Sequence, residues 1–514
     1  MASDNLDVGA GVGVDGPPSF SVPTNPDIWH LVFDQIDSPK DLYNVCLTSR
    51  AWFTMAAPRL YRSVPLERWL RDWWEDDAEP MVFARSLSSR LLDTKNESLR
   101  RAVHELDFGK FRIAEDLSEM EERLVALVDS LPNLRRVKIR SHLTQEVLRD
   151  LVGRSKRISF HLLDEDGRRP VEGDWQNVVA LAAQVRPSED RGGPNQDILG
   201  LQKLLLACPK LTSFSLGIAG NYGGCVQRMP RFRNIHSFQF SGDETFPPLE
   251  ELSLSGYRLS EEEWEHWQKG VQWSKLRSLT LGPRYMADFL ELAAGYANSL
   301  RNLEVKLYTD ADRTKCRRLE RFLTGFSSLE SLTVRGYHVP IGPIGHHPGL
   351  KDLCLHLFEP VREDYRQTLD VEQLQELDKS CTDLERLEID LERDGEWPEP
   401  ILKTLATGFR KLRRLTLHLE VGLDPKECEL LEPILTEDSA KEVGQEFFGW
   451  RESSTNLSVL VLKTGEPLRR YPQWEPGYSR FERKHGKMVK VYRPLTPGGV
   501  PDVATIDLPY MAFR

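Results

Sequence analysis

A short hydrophobic pattern, Leu-x-x-Leu-x-(Leu, Ile, Val or Phe), recurs along most of the chain and is called the leucine frame below. It begins at ten leucines, the first two of which have Val137 and Phe214 in the fourth position: Leu134, Leu211, Leu249, Leu276, Leu300, Leu329, Leu350, Leu384, Leu412 and Leu457. From Leu249 to Leu350 successive frames start 27, 24, 29 and 21 residues apart. The alternation that ends each frame has the two-residue period of a short strand. Its recurrence predicts a repeat architecture.

Helical patterns precede most of the leucine frames. They cover Glu119–Leu131, Ile198–Cys208, Met286–Ala297, Cys316–Phe326, Val371–Cys381 and Ile401–Phe409. Helix, turn and strand repeated in this way predict an α/β solenoid with parallel strands on a concave face and helices on the convex face. Each unit would bury its apolar side against its neighbours. Degenerate copies of the leucine frame are expected at Ile158–Phe160 and Ile235–Phe240, and an insertion is expected at 164–197.

Residues 23–58 form a separate helical pattern ahead of the repeats. Pro26 suits the first turn of a helix that continues to Ile36, and Ser38-Pro39 gives a second start signal before Leu42. The apolar positions of the first helix cover an arc of about 200°, whereas packing on one core needs a stripe of only about 100°. Fewer than 40 residues also bury little surface, so this unit is expected to dock on a partner.

This helical pattern resembles an F-box: Pro-Asp-Ile-Trp at 26–29, Ser-Pro-Lys-Asp-Leu at 38–42, Val-Cys at 45–46, and Trp52. Thr24-Asn25-Pro26 replaces the usual leading Leu-Pro. With the irregular frames that follow, the whole chain resembles F-box leucine-rich-repeat proteins. The resemblance implies docking on the Skp-type adaptor of a Skp–cullin–F-box ubiquitin ligase, while the repeats hold a target protein. The implied adaptor-binding residues are Pro26, Ile28, Trp29, Val32, Phe33, Leu42, Val45 and Trp52.

Other interpretations of these regions stay open. The helical unit is alternatively a cap that seals the repeat array, and the repeats alternatively form a protein-binding scaffold with no link to a ligase. The aromatic cluster Trp69–Trp74 either packs beside the first repeats or serves as an exposed partner anchor, since Trp is enriched in binding hot spots. A hidden enzyme is the remaining alternative.

The domain organisation follows from these patterns. Residues 1–22 are predicted to be disordered, 23–58 to form the F-box-like unit, 59–462 the solenoid, and 463–514 a C-terminal cap with a hairpin within 478–492. The cap holds ten basic and five acidic residues, a net charge of +5. It is expected to pack on the last repeat, with a basic binding patch as the alternative.

Composition narrows the class of partner. The chain has 68 Lys and Arg against 79 Asp and Glu, a net charge of −11, which disfavours a nucleic-acid partner. No apolar run is long enough to cross a membrane, and the N-terminus lacks the features of a secretory signal. Seven scattered cysteines are expected to be reduced thiols in the cytosol or nucleus.

No catalytic or cofactor motif stands out. The GxGxxG match at Gly11, Gly13 and Gly16 lacks the strand and helix that a dinucleotide loop needs. Cys46 is interpreted as a small core residue, and the His346-His347 pair lacks partners at metal-ligand spacing. We therefore expect a protein that is not an enzyme and needs no metal or cofactor.

The partner-binding surface is expected on the strand positions that alternate with the leucines. These residues are basic near the start, small and hydroxylated in the middle, and of mixed charge near the end. Such a surface suits a protein partner. The candidate residues are Arg136, Lys138, Ser253, Thr280, Glu304, Thr333, Glu388 and Thr416.

Overall fold

The structure is a computed structural model, and it separates into two compact units, residues 1–138 and 139–514. The structure describes residues 26–36, 39–66, 80–109, 114–140, 143–154, 156–165, 173–185, 195–218, 237–282, 286–306, 313–357, 368–420, 432–451, 456–465, 486–494, 496 and 499–507. The predicted disordered segment, the GxGxxG match and the Trp69–Trp74 cluster lie outside these residues.

The first unit combines helices with short strands. Its helices are α1 (Pro26–Phe33), α2 (Pro39–Thr48), α3 (Arg50–Leu60), α4 (Pro80–Leu92), α5 (Glu97–Ala102) and α6 (Ala114–Ser130). Its strands are β1 (Ser63–Pro65), β2 (Glu105–Phe108) and β3 (Arg136–Ile139), the last of which ends at the boundary between the units. β1 and β2 pair in parallel.

The second helix of the predicted F-box-like unit is two helices in the structure. Ser49 separates α2 from α3, because its hydroxyl accepts a hydrogen bond from the backbone N–H of Trp52 and so caps α3. Pro58 does not end the unit, since it lies within the last turn of α3. The expected boundary at residue 58 is also displaced, because Leu99 of α5 packs with Ala56 and Ala57 of α3 in one core.

The second unit repeats strand and helix. Its helices are α7 (Gln145–Arg154), α8 (Gln196–Ala207), α9 (Glu261–Gly270), α10 (Met286–Ala293), α11 (Arg313–Thr324), α12 (Ile341–Gly345), α13 (Val371–Ser380), α14 (Glu399–Thr407) and α15 (Glu437–Trp450). Its strands are β4 (Ser159–Glu165), β5 (Val178–Val185), β6 (Ser213–Ile218), β7 (Glu251–Ser255), β8 (Ser278–Leu281), β9 (Asn302–Lys306), β10 (Ser331–Arg335), β11 (Asp352–His356), β12 (Arg386–Leu391), β13 (Arg414–Leu419), β14 (Val459–Thr464), β15 (Lys487–Tyr492) and β16 (Asp502–Asp507).

The strands of the second unit pair in chain order. Pairing is parallel from β4 to β14 and antiparallel between β14, β15 and β16. One leucine of each strand from β7 to β14 lies beside a leucine of the next strand, and each of these side chains is at most 2% exposed. They are Leu252, Leu279, Leu303, Leu332, Leu353, Leu387, Leu415 and Leu460. This stack of strand–helix units with aligned leucines is a leucine-rich-repeat fold.

Helices cover the leucine side of the sheet. At Gly444 of α15 the backbone lies so close to β15 that a Cβ atom would stand 2.4 Å from Cγ1 of Val491. Val491 and its neighbour along the face, Val489, are fully buried. Side chains between the leucines therefore point to the opposite side of the sheet, which we call the polar face.

Two sequence predictions about the strands are wrong. The expected copy at Ile235–Phe240 adds no strand, because β6 pairs directly with β7 and the backbone at Phe238 and Gln239 bonds instead to side chains of Tyr257 and Gln202. The expected insertion at 164–197 contains β5, whose run of Val and Ala lacks the leucine frame.

The predicted C-terminal hairpin differs in its pairing. β15 forms as expected, but its strand partners are β14 and β16. The expected first strand, near Tyr478, lies outside the described residues. β16 was not expected from the sequence, because its residues Asp-Val-Ala-Thr-Ile-Asp do not alternate strictly between apolar and polar.

A carboxyl group is buried among aromatic rings at the start of α9. Glu263 is 4% exposed and accepts hydrogen bonds from the Tyr257 hydroxyl and from Nε1 of Trp267, the latter at 2.9 Å. Burial raises the pKa of Glu263 to about 7 despite these bonds. Ionisation of this group is therefore costly in the folded state.

Replacing this carboxyl group should change how stability depends on pH. Because the folded-state pKa of Glu263 lies above the value of 4.5 expected on unfolding, the wild type should lose stability as the pH rises from 4.5 through 7. Glu263→Gln should remove this loss and should raise the unfolding free energy at pH 8 by about 1–3 kcal/mol. Urea unfolding of both chains at pH 5 and pH 8 measures the difference, and equal pH slopes would contradict it.

Candidate functional site

The first three helices expose several large apolar side chains to solvent. Leu31 of α1 and Leu47 of α2 are 68% and 66% exposed. Ile28, Val32, Tyr43 and Phe53 are also exposed. We call these six residues the apolar helix surface. Ile28, Leu31 and Val32 share one side of α1, and Tyr43 and Leu47 share one side of α2, because they lie three or four residues apart. Exposed apolar side chains that share a helix side are typical of surfaces that bind another protein.

The core beneath the apolar helix surface is aromatic. Trp52 of α3 contacts Trp29 edge-on with ring centroids 4.5 Å apart, and contacts Phe33 at 5.5 Å. Phe33, Leu42 and Cys46 are buried in the same core. Burial raises the pKa of the Cys46 thiol, which keeps it protonated at neutral pH and suits a small core residue.

The structure divides the eight residues expected to bind the adaptor. Ile28 and Val32 are exposed, and Trp29, Val45 and Trp52 are half-buried. Phe33 and Leu42 are 2% and 5% exposed, so the expectation that these two contact a partner is corrected: they support the surface from below. Pro26 begins α1, and its side chain lies outside the described residues.

Leu31, Tyr43, Leu47 and Phe53 are the members of the apolar helix surface that the sequence prediction omitted. The wide apolar arc of α1 already included Leu31. The exposure of Tyr43 and Leu47 depends on how α2 packs against α3, which the helix pattern alone does not fix. Their exposed positions make all four candidates for partner contact.

On the polar face of the second unit, six of the predicted partner-binding residues form one row together with Cys354 and Val461. Each lies beside the next in the register of the strands, in the order Ser253, Thr280, Glu304, Thr333, Cys354, Glu388, Thr416 and Val461. Neighbouring members are therefore separated by about 4.8 Å, the spacing of adjacent strands. Strand alternation placed these side chains on one face, as the register shows. Thr416 is only 2% exposed, however, so the expectation that it contacts a partner is corrected.

Small residues make up the part of this face between β6 and β8. Ser215, Ser253 and Thr280 are neighbours, and Gly282 approaches Ser255 so closely that a Cβ atom would stand 2.3 Å from the Ser255 Oγ. These positions carry only small, uncharged side chains, and the charged Glu251 at the start of β7 is exposed on the same face.

The predicted basic residues of the first unit are held in ion pairs. Arg136 and Lys138 contact opposite oxygens of Glu105 at 2.8 and 2.7 Å. Burial alone would raise the pKa of Glu105, but the hydrogen bonds from Lys138 and Arg136 outweigh it and lower the pKa. A partner would have to compete with Glu105 for these two cations.

From β10 to β14 the polar face carries a charge network centred on Glu388. His418 Nε2 lies 2.6 Å from Oε1 of Glu388, Lys463 Nζ at 3.4 Å and an Arg335 nitrogen at 3.6 Å. Burial alone would raise the pKa of Glu388, but His418, Lys463 and Arg335 hold it well below its usual range. Glu388 is therefore ionised at neutral pH, accepts hydrogen bonds from His418 and Lys463, and forms an ion pair with Arg335.

A second carboxylate supports this network from the neighbouring row. Asp390 accepts a hydrogen bond from the backbone N–H of Leu357 at 2.6 Å and contacts Nδ1 of His356 at 2.8 Å. The His356 ring stacks on His418 with centroids 3.7 Å apart. Burial lowers the pKa of His418 to about 4, so its ring is neutral at pH 7 and donates its Nε2–H to Glu388.

Two groups that could take part in chemistry, Cys354 and His347, are buried and uncharged at neutral pH. Burial raises the pKa of Cys354 to about 12, so its thiol stays protonated. His347 is fully buried, contacts the Phe326 ring at 5.1 Å, and has a pKa that burial lowers to about 4. Within the described residues, no group of three or more His, Cys, Asp or Glu is arranged to hold a metal ion. No helix among them has the length and apolarity to span a bilayer.

Comparison with known proteins adds little to this picture. No protein-family model matches the chain, and no curated protein matches it. Among solved structures, it is similar to the leucine-rich repeat-containing protein LegL7 from Legionella pneumophila, with 13% sequence identity and a TM-score of 0.26. The match covers 75% of this chain and 90% of LegL7.

The network at Glu388 should make the second unit sensitive to acid. The folded-state pKa of His418 lies below the unfolded value of 6.5, so the unfolded state takes up the proton first and stability should fall as the pH drops from 6.5 towards 4. His418→Gln should remove about 1–3 kcal/mol of this acid-induced loss. Urea midpoints at pH 7 and pH 4.5 test this, and an unchanged acid sensitivity would contradict it.

Proposed function

We propose that this chain is the substrate-recognition subunit of a Skp–cullin–F-box ubiquitin ligase. In this proposal α1 to α3 bind the Skp-type adaptor, and the polar face of the repeats holds a target protein. The chain itself performs no catalysis. It places the target near the catalytic subunits and so raises the effective concentration of the target's lysines.

The observation that supports this proposal best is the apolar helix surface. Ile28, Leu31, Val32 and Leu47 are exposed on helices whose core is already filled by Phe33, Leu42 and Cys46. If the helical unit only capped the repeats, these large apolar side chains would remain exposed to water. The F-box-like sequence around them favours the adaptor as the partner that covers them.

Two substitutions on this surface test adaptor binding. Burying one large aliphatic side chain contributes about 1.5–3 kcal/mol, so Leu31→Asp combined with Leu47→Asp should weaken adaptor binding about a hundredfold or more. Both residues are largely exposed, so the variant should still fold. Titration calorimetry with purified adaptor measures the affinity, and deletion of residues 23–58 should abolish co-purification.

The matched control changes two exposed apolar residues of the second unit. Ile434→Asp with Val500→Asp introduces the same charges at positions that are also exposed, and it should leave adaptor affinity unchanged. Wild-type affinity in the Leu31 and Leu47 variant would refute the docking assignment. The second candidate function, a repeat scaffold with no ligase link, would then be favoured by the leucine-rich fold alone.

Target capture is tested on the small part of the polar face. Ser253→Arg with Thr280→Arg should place two long charged side chains where β7 and β8 carry only small ones. The change should abolish target capture without unfolding the repeats. The control, Thr324→Arg with Thr407→Arg, adds the same charge at exposed helix positions. Quantitative mass spectrometry of co-purified proteins, and of proteins that accumulate when the chain is removed, gives the result. Identical captured sets in all three chains would reject this surface as the target site.

A further inference from the structure

The end of the polar face formed by β13, β14, β15 and β16 differs from the rest, because basic and apolar side chains meet there. Register places Thr416 beside Val461, and Val461 opposite Lys490. Arg414 and Lys463 lie two residues away along β13 and β14, on the same face. Three basic side chains thus surround a floor made of Thr416 and Val461, which are 2% and 1% exposed.

Among the residues that the structure describes, two of these basic groups lack a carboxylate partner. Within that part of the chain neither Arg414 nor Lys490 forms an ion pair, whereas Arg386 beside Arg414 is bound to Asp352. Lys463 is only loosely engaged, since its Nζ lies 3.4 Å from Glu388 and a strong charged hydrogen bond is about 2.7–2.9 Å long. An incoming carboxylate can therefore bind these groups without first breaking a strong pair.

Apolar side chains border the basic group on the antiparallel strands. Tyr492 and Ile506 are both 39% exposed. Met488 lies between Lys463 and Ile506 in the strand register. Asp502 lies opposite Tyr492 at the far edge, so it disfavours an acidic group there and directs acidic groups towards β13 and β14. We call Arg414, Lys463, Lys490, Met488, Tyr492 and Ile506 the basic–apolar surface.

We propose that the basic–apolar surface binds an acidic segment of the target protein in which apolar side chains accompany the carboxylates. The carboxylates would contact Arg414, Lys463 and Lys490, and the apolar side chains would pack on Tyr492, Met488 and Ile506. This inference rests on the proposed function, because it names the class of target that the repeats hold. The overall charge of −11 and the small size of this basic group favour an acidic protein segment over a nucleic acid.

Peptide binding to the purified full chain tests the proposal without any adaptor. The probe is a fluorescein-labelled decapeptide of alternating glutamate and leucine, measured by fluorescence anisotropy. Arg414→Glu with Lys490→Glu should weaken its binding about tenfold or more, because like charges then face each other. Lys403→Glu with Lys441→Glu, on helices α14 and α15, changes the net charge equally and should keep the affinity within about twofold.

Further probes separate the two parts of the surface. Tyr492→Ala should weaken the glutamate–leucine peptide but leave a glutamate–glycine peptide unchanged, since only the former has apolar side chains to pack. A lysine–leucine peptide and a single-stranded oligonucleotide should bind more weakly than the glutamate–leucine peptide.

The proposal is overturned if the two charge-reversed chains lose affinity equally, if the lysine–leucine peptide or the oligonucleotide binds as well as the acidic peptide, or if no acidic peptide binds. These outcomes are independent of the adaptor titration, which reports on α1 to α3. If the peptide test fails, the proposed ligase association is unaffected. If adaptor binding fails, the proposed peptide site is unaffected.

Discussion

The alignment of buried leucines across parallel strands is the constraint on which the rest of the second unit depends. A leucine of each repeat lies beside that of the next, so a shift of one residue in any strand would move a leucine to solvent and a polar side chain to the core. The register is therefore fixed strongly. Because it is fixed, the residues between the leucines fall into rows on the polar face without needing contacts of their own.

The network at Glu388 shows what this fixed register permits. Glu388, His418 and Lys463 come from three different strands, yet the register brings their side chains within 3.4 Å. A buried ion pair is a poor source of stability, because desolvation offsets much of the attraction. The apolar side of the sheet supplies the stability, and the polar face is consequently able to carry charges that serve binding.

Sequence periodicity was sufficient for the repeats that follow the leucine frame and insufficient elsewhere. It missed β5, where Val178 and Ala183 replace two of the three frame leucines and only Leu181 remains. It also added a strand at Phe238, where backbone groups bond to Tyr257 and Gln202 instead. Both errors have one cause. A local pattern reports burial, whereas a strand also needs a neighbour whose backbone groups are free to pair, and that depends on distant residues.

The same distinction applies to the candidate sites. Strand alternation identified which residues share the polar face, but it could not show that Arg136 and Lys138 both bind Glu105, more than 30 residues earlier in the chain. The helical arc of α1 indicated excess apolar surface, but it could not separate Ile28, which is exposed, from Phe33, which fills the core. In each case the sequence showed which side chains are basic or apolar, and packing decided which of them are accessible to a partner.

The two proposed surfaces differ in the kind of association that each can support. The apolar helix surface gains affinity from burial of large aliphatic side chains, which favours a stable and long-lived complex. The basic–apolar surface relies on solvent-accessible charges, which contribute more to selectivity and association rate than to affinity. A receptor that keeps one adaptor and exchanges many target molecules needs this combination. The exposed aliphatic side chains on α1 to α3 suit the long-lived adaptor complex. The accessible basic side chains on β13 and β15 suit the faster exchange of target molecules.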